Sequence, residues 1–144
     1  MAFTPTIENA EAVIIGSQLS TAESAEIQTS RTYKVDFESR RIGGFVDEKE
    51  AVAQAIICIL QTERFAFLIY SWGYGFESNE VLGQDETVLK SEIGRLLNEA
   101  LTEDDRIDSI ENVQVEVMGK QKAAVSFTAV SIYGDIPIKT EVIY

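Results

Sequence analysis

Carboxylates are the groups this chain holds in number and that could do acid–base chemistry. Glu63, Asp85, Glu86, Glu103 and Asp104 fall near the ends of expected elements. Hydrolysis of a glycosidic bond needs just two carboxyls at a defined separation, one of them kept protonated. Raising a carboxyl pKa takes desolvation, and carboxylates at helix starts commonly act as caps instead. No catalytic residue is therefore assigned, and the chain reads as a non-enzyme. It has no histidine, which removes Ser-His-Asp and Cys-His systems and most zinc sites. Its single cysteine, Cys58, lies in an apolar helical run with no neighbouring base and reads as a core thiol. Glu103, Asp104 and Asp105 lack the alternating spacing and central glycine of a calcium loop. Gly73-Tyr74-Gly75 is not followed by a helix start where a phosphate-binding loop requires one. Neither a metal nor a cofactor is expected.

Arg106 offers recognition chemistry rather than catalysis. It follows Asp104 and Asp105 directly after an expected helix. One reading is an arginine held by a local carboxylate so that its fork meets a partner's acidic groups or carbonyls. The other is an arginine that caps the last carbonyls of that helix. Sequence leaves both open.

The elements that position these residues follow from periodicity. Tyr33, Val35 and Phe37 alternate with Lys34, Asp36 and Glu38, the period-two pattern of a strand. A turn at Ser39-Arg40-Arg41 and a short strand from Ile42 to Val46 complete a hairpin. Asp47 then caps a first helix, with Val52, Ala55, Ile56, Ile59 and Leu60 in one stripe and Ala53, Ile57 and Cys58 widening it. A second helix follows Asp85, with Leu89, Ile93, Leu96, Leu97, Ala100 and Leu101 buried and Gly94 expected against another backbone. Three further strands, around Val113–Val117, Ala123–Ile132 and Ile136–Tyr144, make a meander whose last member carries Pro137 and belongs at a sheet edge. Between the helices lies an aromatic-rich stretch, Thr62 to Gly83, with Tyr70, Trp72, Tyr74 and Phe76 expected to form a rigid structural centre. The fold class is α+β: one small domain, 31–144, with two helices on a mostly antiparallel sheet.

Composition narrows the partners. The 144 residues are 45% hydrophobic, ordinary for one globular domain, but 24 acidic against 12 basic residues give a net charge of −12. That field repels nucleic acid and anionic membranes. No apolar run is long enough to span a bilayer, and no basic region precedes an apolar core at the N-terminus, so a cytoplasmic location is expected. Residues 1–30 differ in texture. They form either an arm anchored on a partner through Val13, Ile14 and Ile15, or a frayed or simply packed leader.

The order of these parts carries a resemblance. A capped helix leads into Leu60-Gln61-Thr62-Glu63-Arg64. Ile69-Tyr70-Ser71-Trp72-Gly73-Tyr74-Gly75, the second helix, Asp104-Asp105-Arg106-Ile107 and the valine-alternating strands follow. From about Tyr33 to Tyr144 the chain resembles the sheath-initiator, or lysozyme-like, baseplate wedge proteins of contractile phage tails. It is most similar to versions from defective prophages and phage-tail-like bacteriocins. Asp104-Asp105-Arg106 stands where the family carries Glu-Pro-Arg, without the proline. The resemblance implies that Arg106, Asp104 and Asp105 contact the helical core of the wedge. It also implies a domain similar to the strand-exchange part of the sheath subunit. Sheath strands would then add along the last strand, at Ile136, Ile138, Thr140, Val142 and Tyr144. Implied partners are other wedge proteins, the tail sheath protein and the tail tube, with several copies per particle, assembled in the host cytoplasm and retained in the baseplate. Two other classes stay open: a cell-wall hydrolase of the tail, and a soluble adaptor for a host protein.

Overall fold

A computed structural model describes residues 30–143 apart from Leu82, Lys120 and Gln121. Val13, Ile14, Ile15 and Tyr144 lie outside the described residues. An N-terminal hairpin pairs β1 (Thr32–Asp36) with β2 (Arg41–Val46). Helix α1 (Glu48–Gln61) follows, and a long loop with a short 3-10 turn at Ser78–Glu80 leads to α2 (Glu86–Leu101). The chain ends in a meander of β3 (Ile107–Gly119), β4 (Lys122–Ser131) and β5 (Gly134–Ile143), ordered β3-β4-β5. The α+β class, two helices and C-terminal antiparallel meander are as the periodicities predict.

Each helix forms where its signals stand. The Asp47 carboxylate accepts the Glu48 amide at 2.8 Å, and the Thr62 amide closes α1 on the Ile59 carbonyl. At the end of α2, the Thr102 amide and hydroxyl both reach the Asn98 carbonyl, while the Asp104 amide takes that of Leu101. The two helices cover one face of the meander. Val52, Ile56 and Ile59 of α1 meet Leu89, Ile93, Leu97 and Leu101 of α2 over Val125, Phe127 and Ala129 of β4 and Ile136 of β5. Removing each such side chain from water stabilises the fold by about 1.5–3 kcal/mol. Within α1 the buried set is Ala51, Val52, Ile56 and Ile59, so the stripe is rotated slightly from the one read off the sequence, with Ala55 and Leu60 only half-buried.

Three expectations need correction. Gly94 has open space where its Cβ would stand, so no other backbone packs against it. The N-terminal hairpin is more exposed than its alternation predicts: Tyr33, Ile42 and Phe45 all face solvent. Gln54 of α1 ties it to the domain: its side-chain amide accepts from the Val35 amide and donates to the Tyr33 carbonyl, both at 2.9 Å. A single glutamine thus bonds two main-chain groups of β1, a donor and an acceptor.

The aromatic stretch is the third. It forms no strand and its middle is not buried. Trp72 is 82% exposed, and Phe65, Phe67 and Tyr70 are also exposed; only Phe76 reaches the core, with Tyr74 packed against it. The physical reason is competition for space. Aliphatic side chains of the two helices already fill the sheet's covered face, so the aromatics stack on one another outside it. Tyr70 lies 4.5 Å from Tyr74, and Phe65 tilts against Trp72 at 6.0 Å.

Candidate functional site

Two edges bound the meander, and they differ. Along β5 all ten pairs with β4, from Lys122↔Ile143 to Ser131↔Gly134, keep one register. Along β3 the register with β4 shifts three times, and Asn112 adopts a left-handed φ of 53°. Bulges bend an edge and disrupt its row of amides, which protects it from pairing with another chain. β5 has no bulge; apart from the donor missing at Pro137, its outer edge remains a regular template.

The main-chain groups of β5 divide by parity. In an antiparallel pair, successive residues direct their N–H and C=O alternately toward the partner strand and away from it. Pro137, opposite Thr128, has no N–H, and proline in an edge strand faces that missing donor outward. The outward set is then Asp135, Pro137, Lys139 and Glu141, all with exposed side chains. Ile136 and Val142 are buried and Ile138 and Thr140 half-buried beneath the helices. Their side chains build the strand, and the alternate residues offer its amides.

At the head of β3 stands the arginine corner. Asp104 grips Arg106 with both carboxylate oxygens, accepting from Nε at 2.8 Å and from Nη2 at 2.6 Å, and also accepts the Arg106 amide. Burial pushes the Asp104 carboxyl up, but the bonds from the Arg106 side chain and amide outweigh it and hold the group below the usual carboxylate range. The same bond, first of all, raises Arg106 above its ordinary value, against a smaller effect of burial. Arg106 Nη1 reaches the Ser30 hydroxyl at 3.4 Å, and Ser30 shares a 2.8 Å hydrogen bond with the Tyr133 hydroxyl. The Arg106 carbonyl accepts from the Ile132 amide. Residues far apart in sequence are thus joined at one end of the sheet. Of the two sequence readings, the carboxylate-held arginine describes this side chain; the helix end is satisfied by Thr102 and Asp104 instead. Asp105 is exposed and adds only charge attraction to Arg106.

Of the other carboxylates raised by the sequence, Asp85 stands at the N-cap of α2 without a side-chain capping bond, and the rest are engaged in local structure. Glu63 accepts from the Ser78 hydroxyl and from Asn79 at 2.7 Å, Glu86 pairs with Lys90 at 2.6 Å, and Glu103 lies against Gly73. Cys58 is half-buried, and burial pushes its thiol up, away from the reactive thiolate. Sequence reasoning passed over Arg64. It donates from Nε to the Trp72 carbonyl at 3.1 Å and from Nη1 to Glu77 and Glu99, with its side chain only 11% exposed. An arginine entering a glycine-bearing loop from a helix end was the signal available.

A sheet with one regular edge left open and a carboxylate-held arginine at the head of its opposite strand is the equipment of a protein that assembles with others. The sequence profile of the family described as contractile injection system sheath initiator matches residues 30–134, and this chain belongs to that family. The phage-like element PBSX protein XkdS of Bacillus subtilis (strain 168) is 41% identical over 123 residues, which covers 83% of this chain and 82% of that protein. The resemblance carried by the sequence motifs is met on both counts. The chain is a structural component of a contractile tail, and its place is in the tail particle. No helix among the described residues is long and apolar enough to cross a membrane.

Proposed function

We propose that this protein docks on the helical core of the baseplate wedge and starts sheath polymerisation by accepting strands from sheath subunits along β5. The observation that carries this reading is the contrast between the unbroken register of β5 and the three shifts along β3. A docking strand would take main-chain bonds from Asp135, Lys139 and Glu141, and alternate side chains would set specificity. The wedge contact runs through Arg106, oriented by Asp104, with Asp105 adding charge at the rim. Residues 31–144 act as the sheath-initiator domain, and residues 1–30 as an arm that reaches a neighbour through Val13, Ile14 and Ile15. Its partners are other wedge proteins and the tail sheath, with the tube close by, in several copies per particle. Assembly takes place in the host cytoplasm before the particle is complete.

Electron micrographs of particles made without this chain test the reading. Intact baseplates on bare tubes are the expected result. Normally sheathed tails would overturn it. Arg106→Ala separates the two contacts: it should lower the protein's occupancy in baseplates, and unchanged occupancy would remove the wedge role from Arg106.

A further inference from the structure

Residues 65–76 contain no charged side chain, yet they project from the domain. Leu68 is fully exposed, Ile69 is 86% exposed and Trp72 82%, with Phe65 and Phe67 also open to solvent. A contiguous apolar patch of this kind on a small domain marks a contact.

The loop is built to hold that shape. Its base is closed by the Phe76 amide on the Thr62 carbonyl at 2.8 Å and the Arg64 amide on the Phe76 carbonyl at 3.2 Å. Turns close at Glu63–Ala66, Phe67–Tyr70 and Ser71–Tyr74. Gly75, at φ +112°, lets the two sides of the base approach; a Cβ there would stand 2.8 Å from the Thr62 carbonyl oxygen. Arg64 ties the far side through Trp72, so little ordering remains to be done on binding.

The surroundings state what kind of surface fits. Arg64 is paired with Glu77 and Glu99, and Arg95 with Glu80, Glu92 and Glu99. Two guanidinium groups thus serve four carboxylates, and Glu103 lies on the loop backbone at Gly73. Burial and then the neighbouring Glu80 raise the Glu77 pKa. The apolar head therefore stands in a negative rim. We infer that the 65–76 loop is a preformed plug that inserts into an apolar groove with a Lys/Arg rim on another protein of the tail particle.

The proposal goes beyond the strand-addition reading and does not depend on it, because the plug and the β5 edge are different surfaces. Its test uses whole particles with benzoyl-phenylalanine in place of Leu68, irradiated and analysed by peptide mass spectrometry. The expected product joins position 68 to a single peptide of another particle protein, apolar in sequence and flanked by lysine or arginine. A product within residues 1–29 of this chain, in a second copy of it, or in an acidic peptide would overturn the proposal, as would no product. A second arm needs no chemistry. The variant L68S/I69S/W72S alters exposed side chains only and should fold normally by circular dichroism. In competition with the unaltered protein it should enter particles about tenfold less well or worse. Glu103→Lys should lower entry as well, by about threefold at low salt and less at high salt. Normal entry of the triple variant would overturn the plug. Sheath length on the same particles reports separately on β5.

Discussion

β3 and β5 flank the same central strand and are built to opposite specifications. β3 is thirteen residues long, and at each register shift it spends one residue more than β4 does. Between Glu111 and Gln114 it advances three positions while β4 retreats two, from Thr128 to Ser126. Its head is pinned by the Asp104–Arg106 grip and by Ser30 and Tyr133. β5 is ten residues without a shift. At a third edge, that of β1, Gln54 bonds the Val35 amide and the Tyr33 carbonyl. Edges are hazards that proteins manage case by case. Of the two edges of the meander, the one left regular reads as a surface meant for a partner.

The strongest way to break the comparison is to make the edges alike. Deleting Asn112 removes the extra residue between Glu111 and Gln114 and straightens that part of β3. The variant should form dimers or larger species on size exclusion where the parent does not. A monomeric profile would mean that the bulge is not what protects this edge.

Asp104→Ala sharpens the contrast at the pinned corner. It leaves the Arg106 guanidinium, whose side chain is 23% exposed, without its carboxylate. A loss of about 1–3 kcal/mol in urea unfolding is expected. The pH dependence has a definite sign. Asp104 titrates lower in the folded protein than its unfolded value of about 3.9, so the native state binds fewer protons. Its contribution is fully present above that value and disappears as pH falls through the lowered one. Asp104→Asn should therefore flatten the acid limb of stability between about pH 5 and 2. An unchanged acid limb would assign that loss to other carboxylates.

The smallest effect concerns Gly94, on the helix lying over β3. With open space at its Cβ, Gly94→Ala should stabilise the isolated protein by about 1 kcal/mol. That corresponds to roughly 3 °C in melting temperature. If stability rises while assembly falls, a partner approaches α2 at that glycine.

Much of this organisation was legible in the sequence. The helices announced themselves through Asp47 and through stripes such as Leu89, Ile93 and Leu97, because amphipathic periodicity is local. Pro137 placed β5 at an edge for the same reason, since a missing donor needs no tertiary context. The bulges of β3 were not legible, because a register shift is a property of a pair and no single residue reports it. Nor was the exposure of the aromatic loop. Aromatic residues favour half-buried surfaces on average, and only the filled core shows that Trp72 has no inside position to take. Arg106 was visible as an arginine after two aspartates, but its reach to Ser30 and Tyr133 depends on how the sheet closes.

The most direct test of the central claim is the sheath on particles that carry Lys139→Pro and Glu141→Pro in this protein. Both positions belong to the outward set of β5, as Pro137 already does, so the inner ladder to β4 keeps its bonds while two outward donors are lost. Electron micrographs should then show complete baseplates, this protein present, and tubes bare of sheath. Full-length sheaths on such particles would move sheath initiation away from β5.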